Sequence, residues 1–334
     1  MTSYQSMPDR SEAQAALPVD ADAFGRVLEA HRLDLVVLCY RFLGSVHDAE
    51  DAAQETALNA WRARATFRGE AGVRTWLHRI ATRVCLDVLE RRSRRIMPPG
   101  MGSQAEAAVP PEPPSSEIPW LEPLPDTFIE DASIDPAARY SLRESVSLAF
   151  VAALQALPPR QRAVLLLRDV LAWRATEVAD ALGMTVSAAN SALNRARSKL
   201  QASVHRGDAG SMSVGGPSDP ADRRLLEAYM RAWESDDVDA LVATLRDEVR
   251  LAMPPSPSWY AGRSAVAQLV RRWVLPMGPF RMQATGANLQ LAAVLSALGP
   301  EGGEQRIGVH VLTVSGGRIA AIDAFMDPRI AARF

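Results

Sequence analysis

The stretch Leu157–Leu200, LPPRQRAVLLLRDVLAWRATEVADALGMTVSAANSALNRARSKL, constrains the fold more than any other part of the chain. Arg174–Leu182 carries Val178, Ala179 and Leu182 at the spacing of one helix face. Gly183 supplies a turn, and Thr185 supplies a side-chain oxygen to cap a second helix. In that helix Val186, Ala189, Leu193, Ala196 and Leu200 share an inward face, which leaves Ser187, Ala188, Asn190, Ser191, Asn194, Arg195 and Arg197 outward. This is a helix-turn-helix pattern, and its outward set suits a DNA major groove. Asparagine can pair with adenine through two bonds, serine and alanine allow close approach, and arginine takes guanine or phosphate. An ordinary helical hairpin in a bundle fits the same spacing.

A second helix is predicted at Asp48–Trp61, DAEDAAQETALNAW. Ala53, Ala57, Ala60 and Trp61 fall on one face, while Asp48, Glu50, Asp51, Gln54 and Glu55 form an acidic surface. That surface suits a basic partner, and it equally suits a solvated helix start favoured by the helix dipole.

Thr66–Leu89 joins a glycine-containing loop to a helix rich in arginine and aromatic side chains. Single-stranded bases are held by stacking on planar groups and by a positive groove along the backbone. Phe67, Arg68, Arg74, Trp76, His78, Arg79 and Arg83 are the groups that such a site would use. Trp76 also has core spacing with Leu77, Ile80, Val84 and Val88, so packing competes with base stacking there, and Arg79 and Arg83 are the better contact candidates.

Taken in this order, the segments resemble an extracytoplasmic-function sigma factor, a bacterial RNA polymerase specificity subunit that retains only domains two and four. The resemblance covers about residues 24–95 and 141–204, and the linker and tail look like the SigG-like subgroup, which ends in a SnoaL-like domain. It implies that Asp48, Glu50, Asp51 and Gln54, with Glu55 beside them, dock on the clamp helices of the largest catalytic polymerase subunit. It implies that Arg68, Arg74, Trp76, Arg79 and Arg83 belong to the part that melts and reads the minus-ten element. Arg174, Thr185, Ser187, Ala188, Asn190, Ser191, Asn194, Arg195 and Arg197 then read the minus-thirty-five element. Many relatives carry asparagine at the position of Arg83, so a minus-ten preference does not transfer.

The formal net charge of −2 hides local asymmetry. Arg62, Arg64, Arg91, Arg92, Arg94 and Arg95 add to the basic residues before Met97, and Arg160, Arg162, Arg168 and Lys199 flank the helix-turn-helix. These are phosphate-contact candidates, although the Arg91–Arg95 cluster also reads as a solvated helix end. Cys39 and Cys85 sit in apolar helical patterns without metal-ligand spacing, so free buried thiols, no metal and no cofactor are expected. No apolar run is long enough to span a bilayer and the first residues do not read as a signal peptide, so a cytoplasmic protein is expected.

Between Pro98 and Ala138 prolines cluster, acidic residues accumulate and no basic residue occurs. Such composition buries little apolar surface, so the expectation is a linker that is flexible when free. Trp120 and Leu121, in PWLEPLPD, are its candidate anchors on the protein itself, against the alternative of a plain tether. A second linker, 207–220, is rich in glycine, serine and proline.

After it, Asp222–Glu234 and Val238–Leu245 read as helices, and strands are expected at Val249–Met253, Arg281–Gly286, Leu289–Leu298, Gln305–Val314 and Arg318–Phe325. This pattern resembles a SnoaL-like cone, and Trp259, Tyr260, His310 and Asp323 are its candidate pocket residues. Relatives of the cone use a buried Asp or His for proton transfer, but a perturbed pKa in an enclosed site cannot be read from spacing.

The fold expected is multidomain: all-α sigma domains two and four, the latter helix-turn-helix, plus a C-terminal α+β SnoaL-like cone. The expected boundaries are a disordered 1–19, domain two over 20–97, the acidic linker 98–138, domain four over 139–206, the linker 207–220 and the cone 221–334. The function expected is a non-enzymatic sigma factor that binds polymerase core and promoter DNA, modulated by its cone. An anti-sigma factor or a small ligand is a further candidate partner. Two alternatives stay open: a polymerase-independent regulator with a ligand-sensing tail, and a SnoaL-like cyclase fused to an inactive sigma scaffold.

Overall fold

The computed structural model describes residues 20–67, 69, 72–130, 145–206, 219–299 and 303–334. Three helices form the first unit: α1 (Ala21–Leu43), α2 (Val46–Ala63) and α3 (Val73–Arg91). Asp20 caps α1 by accepting the amide of Ala23 at 3.0 Å, and Ser45 caps α2 by accepting that of Asp48 at 3.2 Å. Gly44 ends α1 in a left-handed conformation (φ 69°), where a side chain would also run into Leu121 of the linker. Cys39 and Cys85 are free and buried in this unit.

The linker departs from expectation. Its described residues pack across the first unit and the cone rather than standing free, with a short α4 at Thr127–Glu130. Trp120, Leu121 and Leu124 are buried, and the amides of Leu121 and Glu122 donate to Ile96 and Gly44 carbonyls at 3.0 Å each. The apolar surface that orders the segment belongs to other parts of the chain, which its own composition does not reveal.

The helix-turn-helix unit comprises α5 (Leu148–Gln155), α6 (Pro159–Leu165, continued by a wider turn to Val170), α7 (Ala175–Ala181) and α8 (Val186–Arg206). Gly183 makes the turn between α7 and α8 at φ 61°, and Thr185 caps α8 by accepting the amide of Ala188 at 3.1 Å. Ala189, Leu193 and Ala196 are buried as expected and Leu200 partly so, whereas Val186 is exposed because it begins the helix beyond the core.

In the C-terminal unit α9 (Pro220–Glu234) and α10 (Val238–Thr244) precede a six-stranded sheet. Its strands are β1 (Leu245–Ala252), β2 (Trp259–Ala261), β3 (Phe280–Ala287), β4 (Gln290–Leu298), β5 (Glu304–Ser315) and β6 (Arg318–Phe325), with α11 (Arg263–Leu269) after β2 and α12 (Pro328–Ala331) at the end. The order is β2-β1-β6-β5-β4-β3, antiparallel except for β1 beside β6. The five strands expected are present. The three-residue β2 is too short to show a period, and α11 begins after Gly262, which offers no side-chain cap to announce a helix start.

Both faces of this sheet are buried, following the period-two alternation of strands. Leu291, Ala293, Leu295 and Leu312 face an inner cluster with Leu226, Tyr229 and Trp233 of α9. Ala292, Val294, Val309, Val311 and Phe325 belong instead to a continuous cluster with the core of the first and helix-turn-helix units. The cone thus lends its outer face to the core of the other two units.

Candidate nucleic-acid and partner interfaces

The acidic face of α2 is divided. Asp51, Gln54 and Glu55 are exposed, and Leu58 lies exposed on the same helix. Asp48 is not on that face: it is buried, pairs with Arg92, and accepts Arg95 Nη2 at 2.6 Å. Burial pushes its carboxyl up, but the Arg95 and Arg92 bonds outweigh that and hold it below the usual range. Arg95 also donates to the Trp120 carbonyl at 2.7 Å, so Asp48 helps fasten the linker. Glu50 is half-buried and accepts Arg333, next to the last residue of the chain, at 2.6 Å. The tail following α12 therefore lies against α2.

Of the loop before α3, Phe67, Gly69 and Gly72 are described, and Arg68 lies outside the described residues. Trp76 is half-buried with its ring 5.2 Å from that of Phe67, so it packs as the competing reading allowed. Arg74 is held by Asp34 through two bonds of 2.8 and 2.9 Å. Arg79 lies 3.0 Å from Asp180 of α7 in the other unit, and Arg83 is exposed. Of the Arg91–Arg95 cluster, Arg92 and Arg95 both pair with Asp48, and Arg95 also reaches the linker at Trp120.

On the helix-turn-helix, Arg174, Thr185, Ser187, Ala188, Asn190, Ser191, Asn194, Arg195 and Arg197 are all exposed. Two of the arginines are engaged within the unit: Arg174 with Glu177 at 2.7 Å and Arg197 with Asp169 at 2.6 Å. The remaining side chains present a small, polar, basic surface of the kind a major groove accepts.

The four residues expected to line one pocket are not together. His310 stands opposite Ala324 in the β5–β6 register and Asp323 opposite Val311, so the two lie on opposite faces of the sheet. His310 is on the inner face, where Tyr229 Oη lies 2.8 Å from Nδ1, and burial pushes its pKa down to about 4. Asp323 bonds Arg250 at 3.1 and 3.2 Å, and burial raises its pKa against that pairing. Tyr260 is on the inner side, while Trp259 holds the linker by donating to the Gly102 carbonyl at 3.2 Å. No acid-base pair is formed among these four.

Sequence reading missed a junction at the β3–β4 turn. Asn288, in a left-handed conformation (φ 56°), is fully buried. Its Oδ1 accepts the Leu124 amide of the linker at 2.9 Å, and its Nδ2 donates to Tyr40 Oη of α1 at 2.9 Å and to the Val146 carbonyl at 2.7 Å. Gln290 accepts the Leu148 amide at 2.9 Å, and Asp126 accepts that of Leu289 at 2.7 Å. An asparagine after Gly286-Ala287, between two apolar strands, was the turn signal available. Two buried arginines add to the same closure. Arg41 donates to the Ser145 carbonyl and hydroxyl at 3.1 and 2.8 Å, and Arg162 of α6 donates to the Phe42 carbonyl of α1. Burial lowers the pKa of both to about 10.

Three family matches follow this division: Sigma-70 region 2 at residues 27–95, Sigma-70 region 4 at 147–200 and a SnoaL-like domain at 226–322. The chain is 43% identical over 315 residues to the ECF RNA polymerase sigma factor SigG of Mycobacterium tuberculosis, covering 93% of this chain and 83% of that one. It is 26% identical to the probable ECF RNA polymerase sigma factor SigI of the same species, covering 92% and 94%. The crystal structure of M. tuberculosis SigJ shares the fold, with a TM-score of 0.58 at 24% identity, covering 92% of this chain and 98% of that one.

Proposed function

Because the chain belongs to the extracytoplasmic-function RNA polymerase sigma factors, which direct transcription initiation by RNA polymerase, we propose that the structure is a closed form of such a factor, held shut by its own cone. The contact between Arg79 and Asp180 at 3.0 Å carries this reading. Minus-ten and minus-thirty-five elements lie about 25 base pairs apart, roughly 85 Å along B-DNA at about 3.4 Å per pair. The contact joins α3, which carries the candidate minus-ten residues, to the first helix of the helix-turn-helix, and units so joined cannot engage both elements at once, so promoter binding requires them to part.

In the open form Asp51, Gln54 and Glu55 dock on the clamp helices of the largest polymerase subunit, with Glu50 joining once Arg333 leaves. Arg79 and Arg83, with the loop before α3, take the opened minus-ten strand. Asn190, Ser191, Asn194 and Arg195 read the minus-thirty-five groove. The protein works in the cytoplasm with the polymerase and performs no chemistry of its own. The separation of His310 from Asp323 supports a regulatory cone over a catalytic one. The cone is the unit through which a small ligand or an anti-sigma factor would act. Among the described residues, no helix is long and apolar enough to cross a membrane.

Transcription from fragmented genomic DNA by bacterial core polymerase, with and without the full chain, tests the reading. Initiation at a small promoter set only when the chain is present supports it. DNA binding without core, and no initiation, contradicts it.

A further inference from the structure

Asp34, on α1, meets the start of α3, and its bond to Arg74 is part of a larger restraint. Its Oδ2 accepts Arg74 Nε at 2.8 Å and its Oδ1 accepts Nη2 at 2.9 Å, a two-pronged bond that fixes the plane of the guanidinium. The same Oδ2 lies 2.7 Å from Nε2 of His78, which is buried. Arg74 and His78 are four residues apart on α3, so one carboxylate from a neighbouring helix restrains two successive turns.

This restraint falls where α3 lacks one of its own. Gly72 precedes the helix and provides no side-chain cap, and no acidic residue occupies the first turn. The Asp34 carboxylate stays ionised far below the usual range, because its bonds to Arg74 and His78 outweigh the effect of burial. From this start α3 carries Trp76, Arg79 and Arg83.

We propose that Asp34 is a positioning residue for promoter opening, setting the angle at which the start of α3 meets the minus-ten strand. It touches no DNA and acts through Arg74 and His78. The inference rests on the reading of α3 as the minus-ten reader.

The test compares wild type with Asp34→Asn, which keeps the shape and loses the charge, and Asp34→Glu, which keeps the carboxylate. Each full chain is combined with bacterial core polymerase on a promoter that the wild type opens. Permanganate reactivity of minus-ten thymines reports strand separation, and core affinity and thermal melting are measured beside it. Asp34→Asn should lower opening about tenfold or more, the loss expected for a charge-assisted pair. Core affinity should stay within about twofold of wild type, and Asp34→Glu should restore most of the opening. Unchanged opening in Asp34→Asn overturns the inference. So does parallel loss of opening, core affinity and melting temperature in both variants, which marks a merely structural role. Arg79→Ala and Arg83→Ala are run alongside: if neither alters opening, the minus-ten reading of α3 fails and takes this inference with it. If they do and Asp34→Asn does not, only this inference falls.

Discussion

Arg79, on the helix assigned to the minus-ten strand, lies 3.0 Å from Asp180, on the first helix of the helix-turn-helix. Asp180 is largely exposed, and a pair so wetted contributes about 0–1 kcal/mol. The contact therefore reports closure without holding it. Closure is held by the buried groups of the junction, above all Asn288, and by the sheet face that completes the common core.

Asn288→Gly keeps the left-handed backbone and removes all three side-chain bonds. With each worth about 1 kcal/mol net and buried partners left unsatisfied, the closed form should weaken by roughly 2–4 kcal/mol. Hydrogen exchange at the Leu124 amide should quicken, and affinity for core polymerase should rise. Slow exchange at Leu124 with unchanged core affinity would show that the junction is not the latch.

Asp48 and Asp51 should behave differently although both belong to the acidic stretch. Asp48→Ala strips Arg92 and Arg95 of a buried partner and should cost about 3 kcal/mol or more of stability, loosening the linker at Trp120. Asp51→Ala, on the exposed face, should leave melting unchanged and weaken core binding. Thermal melting beside core titration separates the two effects, and equal melting losses would contradict the assignment.

On the recognition helix, Asn190→Ala and Arg195→Ala should each cost about 1–3 kcal/mol on a cognate minus-thirty-five site if they touch base edges. A residue that meets only phosphate should weaken all sequences alike and reduce the salt slope by about one ion. Arg197 starts from its bond to Asp169, so Asp169→Asn should strengthen any phosphate contact that Arg197 makes. Titrations at several salt concentrations, on cognate and scrambled duplexes, decide these cases.

His310 gives the cone a pH dependence of known sign. Burial holds its folded pKa near 4, below the ordinary 6.5, so the unfolded chain binds the extra proton between those values. Stability contributed here is complete above pH 6.5 and falls as pH drops toward 4, by on the order of 3 kcal/mol at most. His310→Gln should flatten the dependence of the cone's melting temperature between pH 7 and 5. Identical slopes in variant and wild type would show that another group governs it.

What was legible in the sequence was local. Gly183 and Thr185 announce the helix-turn-helix because turn and cap are decided within a few residues, and every outward side chain expected on α8 is exposed except that Val186 joins them. Asp48 was misplaced because its partners, Arg92 and Arg95, lie more than forty residues away and only the packing of α2 on α3 brings them near. The linker was judged by its own composition, when its order comes from Gly44, Asn288 and Trp259. His310 and Asp323 could not be separated without the β5–β6 register, since parity within a strand says nothing about its neighbour.

The most direct test of the closed form is the distance between the two DNA-reading units in solution. Spin labels at Ala30→Cys on α1 and Ser198→Cys on α8 occupy exposed sites, and the native Cys39 and Cys85 are buried away from the reagent. Pulsed dipolar spectroscopy should give a single short separation for the free chain, lengthening by several tens of ångströms when core polymerase and promoter DNA bind, as roughly 85 Å between the elements demands. A free chain already broadly extended, or a separation unchanged in the promoter complex, would contradict it.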